Sequence, residues 1–400
     1  MSLLLARGNR PPNNFAQTIT LLVNAAFVLT GVMTTLLGPM LPVLSARWAL
    51  NDTQAGYLFT AQFAGSMLGV ALSGMLVQRY GYRSAIVAGM GVMAAGAGVL
   101  ASSAWLPGLA AVAGYGIGQG LTIPAANLLI AELHPERRGA ALNWLNLSWG
   151  VGAAACPFAV AALVPSHRTS FFLLDVAALL LLLALAILLP SLDLWKAESL
   201  DKSEAGSSVW RSRYIPLLGC LFYLYVGTEN CIGGWIASYA QRLQNTPGAV
   251  WATAPSLFWI SLLAGRALAP ALLHRIGERE LARMGLLLAS CGIAILLAAH
   301  TMAILFLGVA VSGLGLAPVF PIDISMVSAH FGKLAPRVSG LMFALAGLGG
   351  ATLPGLVGKV STQLGSLKTG LYVPLVGSLT MLALLFLPEK TPDRDSAPVL

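Results

Sequence analysis

The sequence is poor in charge. Asp, Glu, Lys and Arg make up 10% of its 400 residues, against about 25% in a soluble globular domain. So few charges cannot cover the surface of a water-soluble chain of this length. Clusters for metal or redox chemistry are lacking too. Cys156, Cys220, Cys231 and Cys291 sit singly in apolar runs, with no CxxC pair and no neighbouring histidine cluster. They read as small buried hydrophobes, which excludes a disulfide scaffold and leaves no metal site. There is no P-loop and no HExxH, and the glycine-rich run 150–156, GVGAAAC, follows no strand. No nucleophile–base spacing marks an enzyme, and no cofactor is implied. The net charge of +8 comes from single or paired basic residues between apolar runs, without the basic face that nucleic acid requires.

What the chain has is apolar length. Hydrophobic residues make up 57%, and the mean hydropathy is +0.79. A bilayer core of about 30 Å takes about 20 residues of helix. That ruler marks spans at 17–42, 53–78, 84–103, 106–131, 140–164 and 169–190, then at 214–241, 250–274, 280–299, 302–327, 337–359 and 368–388. The first run is longer than a signal-peptide core and many spans follow, so no cleavable leader is expected. Glycine and proline punctuate the spans, as in packed membrane helices.

Basic residues predict the orientation. With the N-terminus inside, the inner loops hold Arg7, Arg10, Arg79, Arg83, Arg137, Arg138, Lys196, Lys202, Arg211, Arg213, Arg275, Arg279, Arg283, Lys333, Arg337, Lys390 and Arg394. The outer side holds Arg47, Arg168, Arg242, Lys359 and Lys368. Both termini are therefore expected in the cytoplasm, in a multi-pass protein of a bacterial plasma (inner) membrane.

The two halves repeat. GVALSGMLVQRYGYR (69–83) aligns without a gap on GRALAPALLHRIGER (265–279), matching Gly69, Arg79, Gly81 and Arg83 to Gly265, Arg275, Gly277 and Arg279. GIGQGLTIP (116–124) and GLGLAPVFP (313–321) match at nearly the same offset. The expected fold is therefore an all-α integral membrane protein. Twelve transmembrane helices form two pseudo-symmetric six-helix bundles, 1–190 and 214–400, joined by a polar cytoplasmic linker at 191–213. A parallel six-helix repeat is the major facilitator plan. No appended soluble domain is visible, which argues against a sensor, and the chain reads as a monomer.

Segment 74–83, GMLVQRYGYR, resembles the loop after the second helix of major facilitators, with Gln78 where that family has an acid. From it, Gly74, Arg79, Gly81 and Arg83, with Arg275 and Gly277 in the second half, form the expected conformational loops. A narrower resemblance, to the fucose permease and glucose/galactose symporter group, rests on four stretches. They are VGTENCIGGWIASY (226–239), SLFWISLLAGRALAP (256–270), GLGLAPVFPIDIS (313–325) and RGAALNWLNLSWGVGAAACP (138–157). It implies a monosaccharide or similar polyol as substrate, with H+ as the coupling ion. The first helix offers only Asn24 where that group's coupling acids would stand.

Ionisable groups inside a bilayer are expensive and mark functional sites. Here they are Glu229, Arg266, Asp323 and Asp175, with Glu132 near the inner end of span four. Glu229 lies in a glycine-punctuated stretch that would let the helix unwind or a substrate approach. We expect it to bind substrate hydroxyls or a proton. Arg266, with Trp259 seven residues earlier on the same face, suits a sugar, which has an apolar face and a rim of hydroxyls. A plain ion pair between Glu229 and Arg266 is the structural alternative. Asp323 follows Pro321, where a break is expected, and a relay to His330 is conceivable. Asp175 reads as structural. The first half offers amides, which both donate and accept: Gln62, Gln119, Asn127, Asn143 and Asn146, with Trp149 beside them. For these the alternative is interhelical bonding, and for Gln62 a packing seam. Trp235 would stack on substrate or anchor the helix at the interface.

The expectation is thus a gradient-driven transporter of a sugar-like solute, working by alternating access. The competing reading is an efflux antiporter for amphipathic compounds, whose span-five motif is partly matched by Gly152 to Pro157, with Cys156 replacing its last glycine.

Overall fold

The computed structural model describes residues 13–188, 212, 214–244 and 248–387. The expected linker at 191–213, apart from Ser212, lies outside them, as do Arg7, Arg10, Lys390 and Arg394. The described residues form helices and connecting turns, with no strand among them.

Helix α1 (Asn13–Thr35) and α2 (Leu37–Trp48) make the first crossing, with only Leu36 between them. Helix α3 (Asp52–Ser102) has 51 residues. Unbroken, it would run about 76 Å, over twice the hydrocarbon thickness. It is two crossings joined at Gly81, whose φ of 80° and ψ of 169° belong to no helix. Only glycine adopts that backbone readily, so Gly81 turns the chain back. Then come α4 (Trp105–Leu133), α5 (Arg138–Leu163) and α6 (Thr169–Leu188). The second half holds α7 (Tyr214–Leu243), α8 (Ala254–Leu273) and α9 (Glu278–Leu297). It continues with α10 (Met302–Leu316), α11 (Val319–Phe331) and α12 (Ala335–Leu364). Helices α13 (Leu367–Gly370) and α14 (Tyr372–Leu385) form the last crossing. Among the described residues ten helices are long and apolar enough to cross a membrane. Counting α3 twice and adding α4, 29 residues long, gives the twelve crossings expected.

Local chemistry sets several ends. Asn51 and Gln54 form a reciprocal cap at the start of α3, at 2.9 and 3.1 Å, which satisfies two donors that a helix start leaves open. Gly365, with φ of 70°, ends α12 in the left-handed turn that stops many helices.

The repeat is visible in the packing. Gly116 of α4 faces the backbone of Gln62, and Gly313 of α10 faces the backbone of Phe258. Gly118 lies against the Gly89 carbonyl, and Gly315 against that of Gly285. A methyl group at any of these positions would collide with a neighbouring helix, so the small residues set the interhelical distance. Arg83 donates to the Leu188 carbonyl at the end of α6. Its counterpart Arg279 donates to the Leu385 carbonyl at the end of α14, at 2.8 Å. Both guanidinium groups satisfy helix-end acceptors where a cation is also favoured by the dipole.

We call the face where α1 begins and α14 ends the terminal face. The halves meet in the part of the bundle away from it. Asp52 on α3 takes N–H groups from Arg242 on α7 and the Ser361 hydroxyl of α12. Thr53 N–H donates to Thr362 at 2.9 Å, Thr60 to the Ala351 carbonyl at 2.7 Å, and Ser256 to the Ala154 carbonyl at 2.7 Å. The α3–α12 seam reaches mid-length, where Gly347 faces Met67. Toward the terminal face Asn143 and Asn146 are exposed. The hydrogen bonds that tie the halves together thus lie in the part of the bundle away from the terminal face.

Two local expectations are corrected. The break in span ten falls at Ala317–Pro318, between α10 and α11, and Pro321 lies inside α11. Pro318 has no N–H for the Leu314 carbonyl and Pro321 none for that of Ala317, so the two prolines together loosen this point. The GTENCIGGW stretch does not unwind: α7 is continuous through it. Its glycines serve close approach instead, Gly233 against the Trp259 ring and Gly234 against Phe59.

Candidate functional site

Near the middle of α7 and α8 the structure brings three polar side chains together. The Arg266 Nη2 group lies 3.3 Å from Glu229 Oε1 and 3.3 Å from the Tyr225 hydroxyl. The Tyr225 hydroxyl donates to Glu229 Oε1 at 3.0 Å. Tyr225 and Glu229 are four residues apart on one face of α7, so helix geometry aligns them. Their side chains are not sealed: Arg266 is 32% exposed and Glu229 12%. The charges cancel, and the cluster is neutral as a whole. Tyr225 is a member that sequence reasoning missed; its i−4 spacing from Glu229 was the available signal.

Trp259, one turn pair before Arg266 on α8, meets Trp149 of α5 edge to face with ring centroids 5.6 Å apart. This pair joins α5 of the first half to α8 of the second. The Trp149 indole N–H reaches the Thr34 hydroxyl at 3.4 Å. By contrast, the Trp259 Nε1 and Arg266 Nε groups are buried and have no partner. Buried donors are nearly always bonded, so two unpartnered ones on α8, seven residues apart, call for an explanation.

The amides of the first half divide. Gln62 and Gln119 are buried and bonded to each other at 3.2 Å, and Gln62 also donates to the Thr34 carbonyl at 3.1 Å. Gln119 accepts the bond from Gln62 through Oε1, and its Nε2 group has no partner. Thr34 thus ties Gln62 and Trp149 together, a role that nothing in its apolar sequence context advertises. Asn127 and Asn146 each donate to the carbonyl four residues back, at 2.8 and 2.9 Å. Asn143 and Asn146 lie exposed on α5, toward the terminal face from Trp149. Asn24 is bonded to Ser148 of α5 at 2.8 Å.

Other expected residues lie apart from this cluster. Trp235 is 1% exposed; its indole donates to the Pro354 carbonyl at 3.0 Å and its ring packs 5.9 Å from Phe59. It is held in the seam between the halves, not at an interface with water. Asp323 on α11 is fully buried, with neither oxygen bonded. His330 bonds the Met326 carbonyl at 2.9 Å, and its ring lies tilted by 46° against Tyr214 with centroids 4.3 Å apart; neither Asp323 oxygen bonds it. Asp175 is on the exposed side of α6. Glu132 accepts from the Tyr82 hydroxyl at 2.5 Å.

The expected loops behave differently in the two halves. Gly81 has the positive φ described above, whereas Gly277 caps α9 with φ of −64°. Gly74 has open space around it. Arg79 lies over the Tyr80 ring at 5.3 Å. An apolar cleft of about 510 Å³ between α8, α9 and α10, lined by Leu268, Leu272, Met284 and Leu288, faces outward and does not touch the cluster. Among the described residues no group of His, Cys, Asp and Glu could hold a metal ion.

A twelve-crossing helical bundle carrying a polar cluster at mid-depth defines a multi-pass membrane transporter. Comparison with known proteins gives its family. The model of the Major Facilitator Superfamily matches residues 23–354 and 256–398. The chain belongs to that superfamily. It is 27% identical over 367 residues to the "Glucose/galactose transporter" of Brucella abortus biovar 1 (strain 9-941), covering 85% of this chain and 86% of that protein. Among solved structures it resembles the fucose:proton symporter FucP of E. coli, with TM-score 0.61 and 19% identity over 92% of this chain and 98% of that one. It also resembles the nucleoside transporter NupG, with TM-score 0.77 and 15% identity over 93% and 98%. These structural likenesses define the fold.

Proposed function

We propose that this chain carries a neutral monosaccharide or similar polyol across the membrane by alternating access. The observation that carries this reading is the Glu229–Arg266 pair, a cluster without net charge in which Arg266 Nε is left without a partner, with a second unpartnered donor, Trp259 Nε1, seven residues earlier on α8. An anionic or cationic solute would leave its own charge unbalanced there. A sugar offers hydroxyl oxygens that accept from both donors and a hydroxyl that donates to Glu229. Its apolar face suits the Trp149–Trp259 pair, as aromatic rings suit apolar surface. The sugar-transporting relative supports the same class.

In this reading Glu229, Arg266, Trp259 and Trp149 touch the solute. Asn143 and Asn146 line its way to the terminal face, and Asn127 belongs to the same wall. Gln62 and Gln119 hold the first-half floor through Thr34, with the open Gln119 amide as a further donor. Trp235 fixes the seam on which the halves rock. The halves, 1–190 and 214–400, move as bodies joined by 191–213. Their conformational loops, with Gly74, Arg79, Arg83, Arg275 and Gly277, lie at the terminal face, and the bias of the basic residues supports a cytoplasmic position for that face in a bacterial cell.

The test is uptake into proteoliposomes. Radiolabelled glucose or galactose should enter in exchange for unlabelled sugar. Expulsion of a cationic dye with no sugar exchange would establish the efflux reading instead.

A further inference from the structure

We propose that the lateral cleft between α8, α9 and α10 is a binding site for one anionic phospholipid, with an acyl chain in the cleft and the headgroup phosphate at Arg275 and His274. The site is separate from the Glu229–Arg266 cluster, and the proposal stands whatever solute that cluster carries.

The cleft is a departure from the internal repeat. In the first half the Ser73 hydroxyl of α3 donates to the Leu121 carbonyl of α4 at 3.0 Å, which ties the two helices together. The aligned blocks put Ala269 in the place of Ser73 and Pro318 in the place of Leu121. Alanine has no hydroxyl to donate, so the second half lacks this tie. Ala269 and Pro318 both line the cleft, which holds about 510 Å³. The walls part where that bond is missing.

What fills the cleft is set by where it opens. Leu268 of α8 and Met284 and Leu287 of α9 line it and are exposed. They lie on the outside of a membrane-spanning bundle, so they meet hydrocarbon. Among the described residues no charged or amide side chain lines the cleft, which suits an acyl chain and leaves a polar solute unpartnered. Hydrocarbon alone does not select between lipids. A tail that enters exchanges one apolar setting for another, so no hydrophobic gain distinguishes one lipid from the next. Selection falls to the headgroup.

The terminal end of the cleft supplies the matching charge. Leu268, Leu272 and Arg275 follow at i, i+4 and i+7 along one face of α8 and the turn after it, and the Arg275 N–H bonds the Leu272 carbonyl at 2.9 Å. His274 and Arg275 are exposed, and neither side chain has a hydrogen bond or ion pair among the described residues. The other charges of this turn are engaged. Glu278 takes the Ser325 hydroxyl, Glu280 pairs with Arg283, and Arg279 and Arg283 reach the Leu385 carbonyl. Arg275 is left free where the crossing meets the headgroups, and a guanidinium matches a phosphate in shape and charge. Its repeat counterpart Arg79 instead lies over the Tyr80 ring, with Gln78 in the place of His274. Leu314 and Pro318 in the cleft wall border the break at Ala317–Pro318, so a bound tail bears on the point where span ten yields.

The experiment uses the full chain in detergent and needs no sugar. Native mass spectrometry follows binding of dioleoylphosphatidylglycerol against dioleoylphosphatidylcholine. The first bound lipid should favour phosphatidylglycerol about fivefold, the factor expected of one basic side chain at a membrane surface. Arg275→Gln should bring that preference below about twofold. Arg79→Gln, which removes the same charge from the first half, should leave it in place. Glycerol 1-phosphate, a headgroup without tails, should not displace the lipid. In wild type, phosphatidylglycerol carrying a diazirine in its acyl chain should label cleft residues such as Met284 and Leu314, and unlabelled lipid should suppress that labelling. Equal binding of the two lipids, equal effects of Arg275→Gln and Arg79→Gln, displacement by glycerol 1-phosphate, or labelling spread evenly over the outer helices overturns the proposal. A dimer that forms as the lipid leaves overturns it too, and assigns the cleft to a second copy of the chain. The labelling is read on wild type, so it decides even if Arg275→Gln fails to fold.

Discussion

Replacing Glu229 by glutamine tests whether the charged cluster binds solute or merely braces α7 against α8. The substitution keeps the shape and removes the charge. Arg266 is then left without a counter-charge among apolar helices. Breaking a buried pair by removing one member costs about 3–5 kcal/mol. The 32% exposure of the Arg266 side chain puts the loss at or below the lower end, about 2–3 kcal/mol, because water screens what it reaches. Neutralising both partners, as Glu229→Gln with Arg266→Gln, should recover most of that stability. Binding behaves differently. A hydrogen bond to a charged group contributes about 1.5–3 kcal/mol, so Glu229→Gln should weaken sugar binding roughly 10- to 150-fold. The double variant should be no better, because it lacks the charged acceptor and the guanidinium donor. The assay pairs thermal unfolding in detergent with galactose binding by calorimetry on the four members of the cycle. Recovery of stability without recovery of binding supports the site. If the double variant regains both, the cluster is a brace and the assignment of Glu229 and Arg266 to the solute is wrong.

Three further predictions follow from particular contacts. Trp259→Phe keeps the aromatic surface and deletes the open indole N–H; it should lower sugar affinity by about 1 kcal/mol, near fivefold, with little change in unfolding temperature. An unchanged affinity would remove Trp259 as a donor. Gly81→Ala puts a side chain on a backbone with φ of 80° and should cost at least about 1–2 kcal/mol. The matching Gly277→Ala, at φ of −64°, should be near neutral, so equal effects on the unfolding midpoint would contradict the difference between the two turns. Arg242→Ala removes the ion pair that ties α7 to Asp52 across the far seam. With Arg242 nearly half exposed, about 0.5–1 kcal/mol is at stake. The change should shift the population about two- to fivefold toward opening on that face, read by spin-label distances across the seam.

Much of the architecture was legible in the chain because hydrocarbon thickness imposes a length on every crossing. The twelve apolar runs follow from that constraint, and the paired blocks at Arg79/Arg275 and Pro124/Pro321 follow from repetition. Even the helix-end role shared by Arg83 and Arg279 is a consequence of that repeat, although it is visible only once α6 and α14 are in place. Details set by partners from other helices were not legible. The break in span ten was expected at Pro321 and falls at Ala317–Pro318, because two prolines three residues apart leave the helix several ways to yield. The glycines around Glu229 suggested unwinding; tertiary packing used them for contact with Trp259 and Phe59. Thr34 carries no chemical signal in sequence, since a threonine in a membrane helix is ordinary. It acquires a role only from what the fold brings beside it.

The central claim is that a neutral sugar is the cargo. The most direct measurement is exchange of radiolabelled galactose by purified protein in liposomes with no ion gradient, competed by unlabelled glucose, by a sugar acid and by a nucleoside. The account predicts exchange that glucose suppresses, with the anionic sugar acid far weaker as a competitor. No galactose exchange, or stronger competition by the sugar acid or the nucleoside than by glucose, would contradict it.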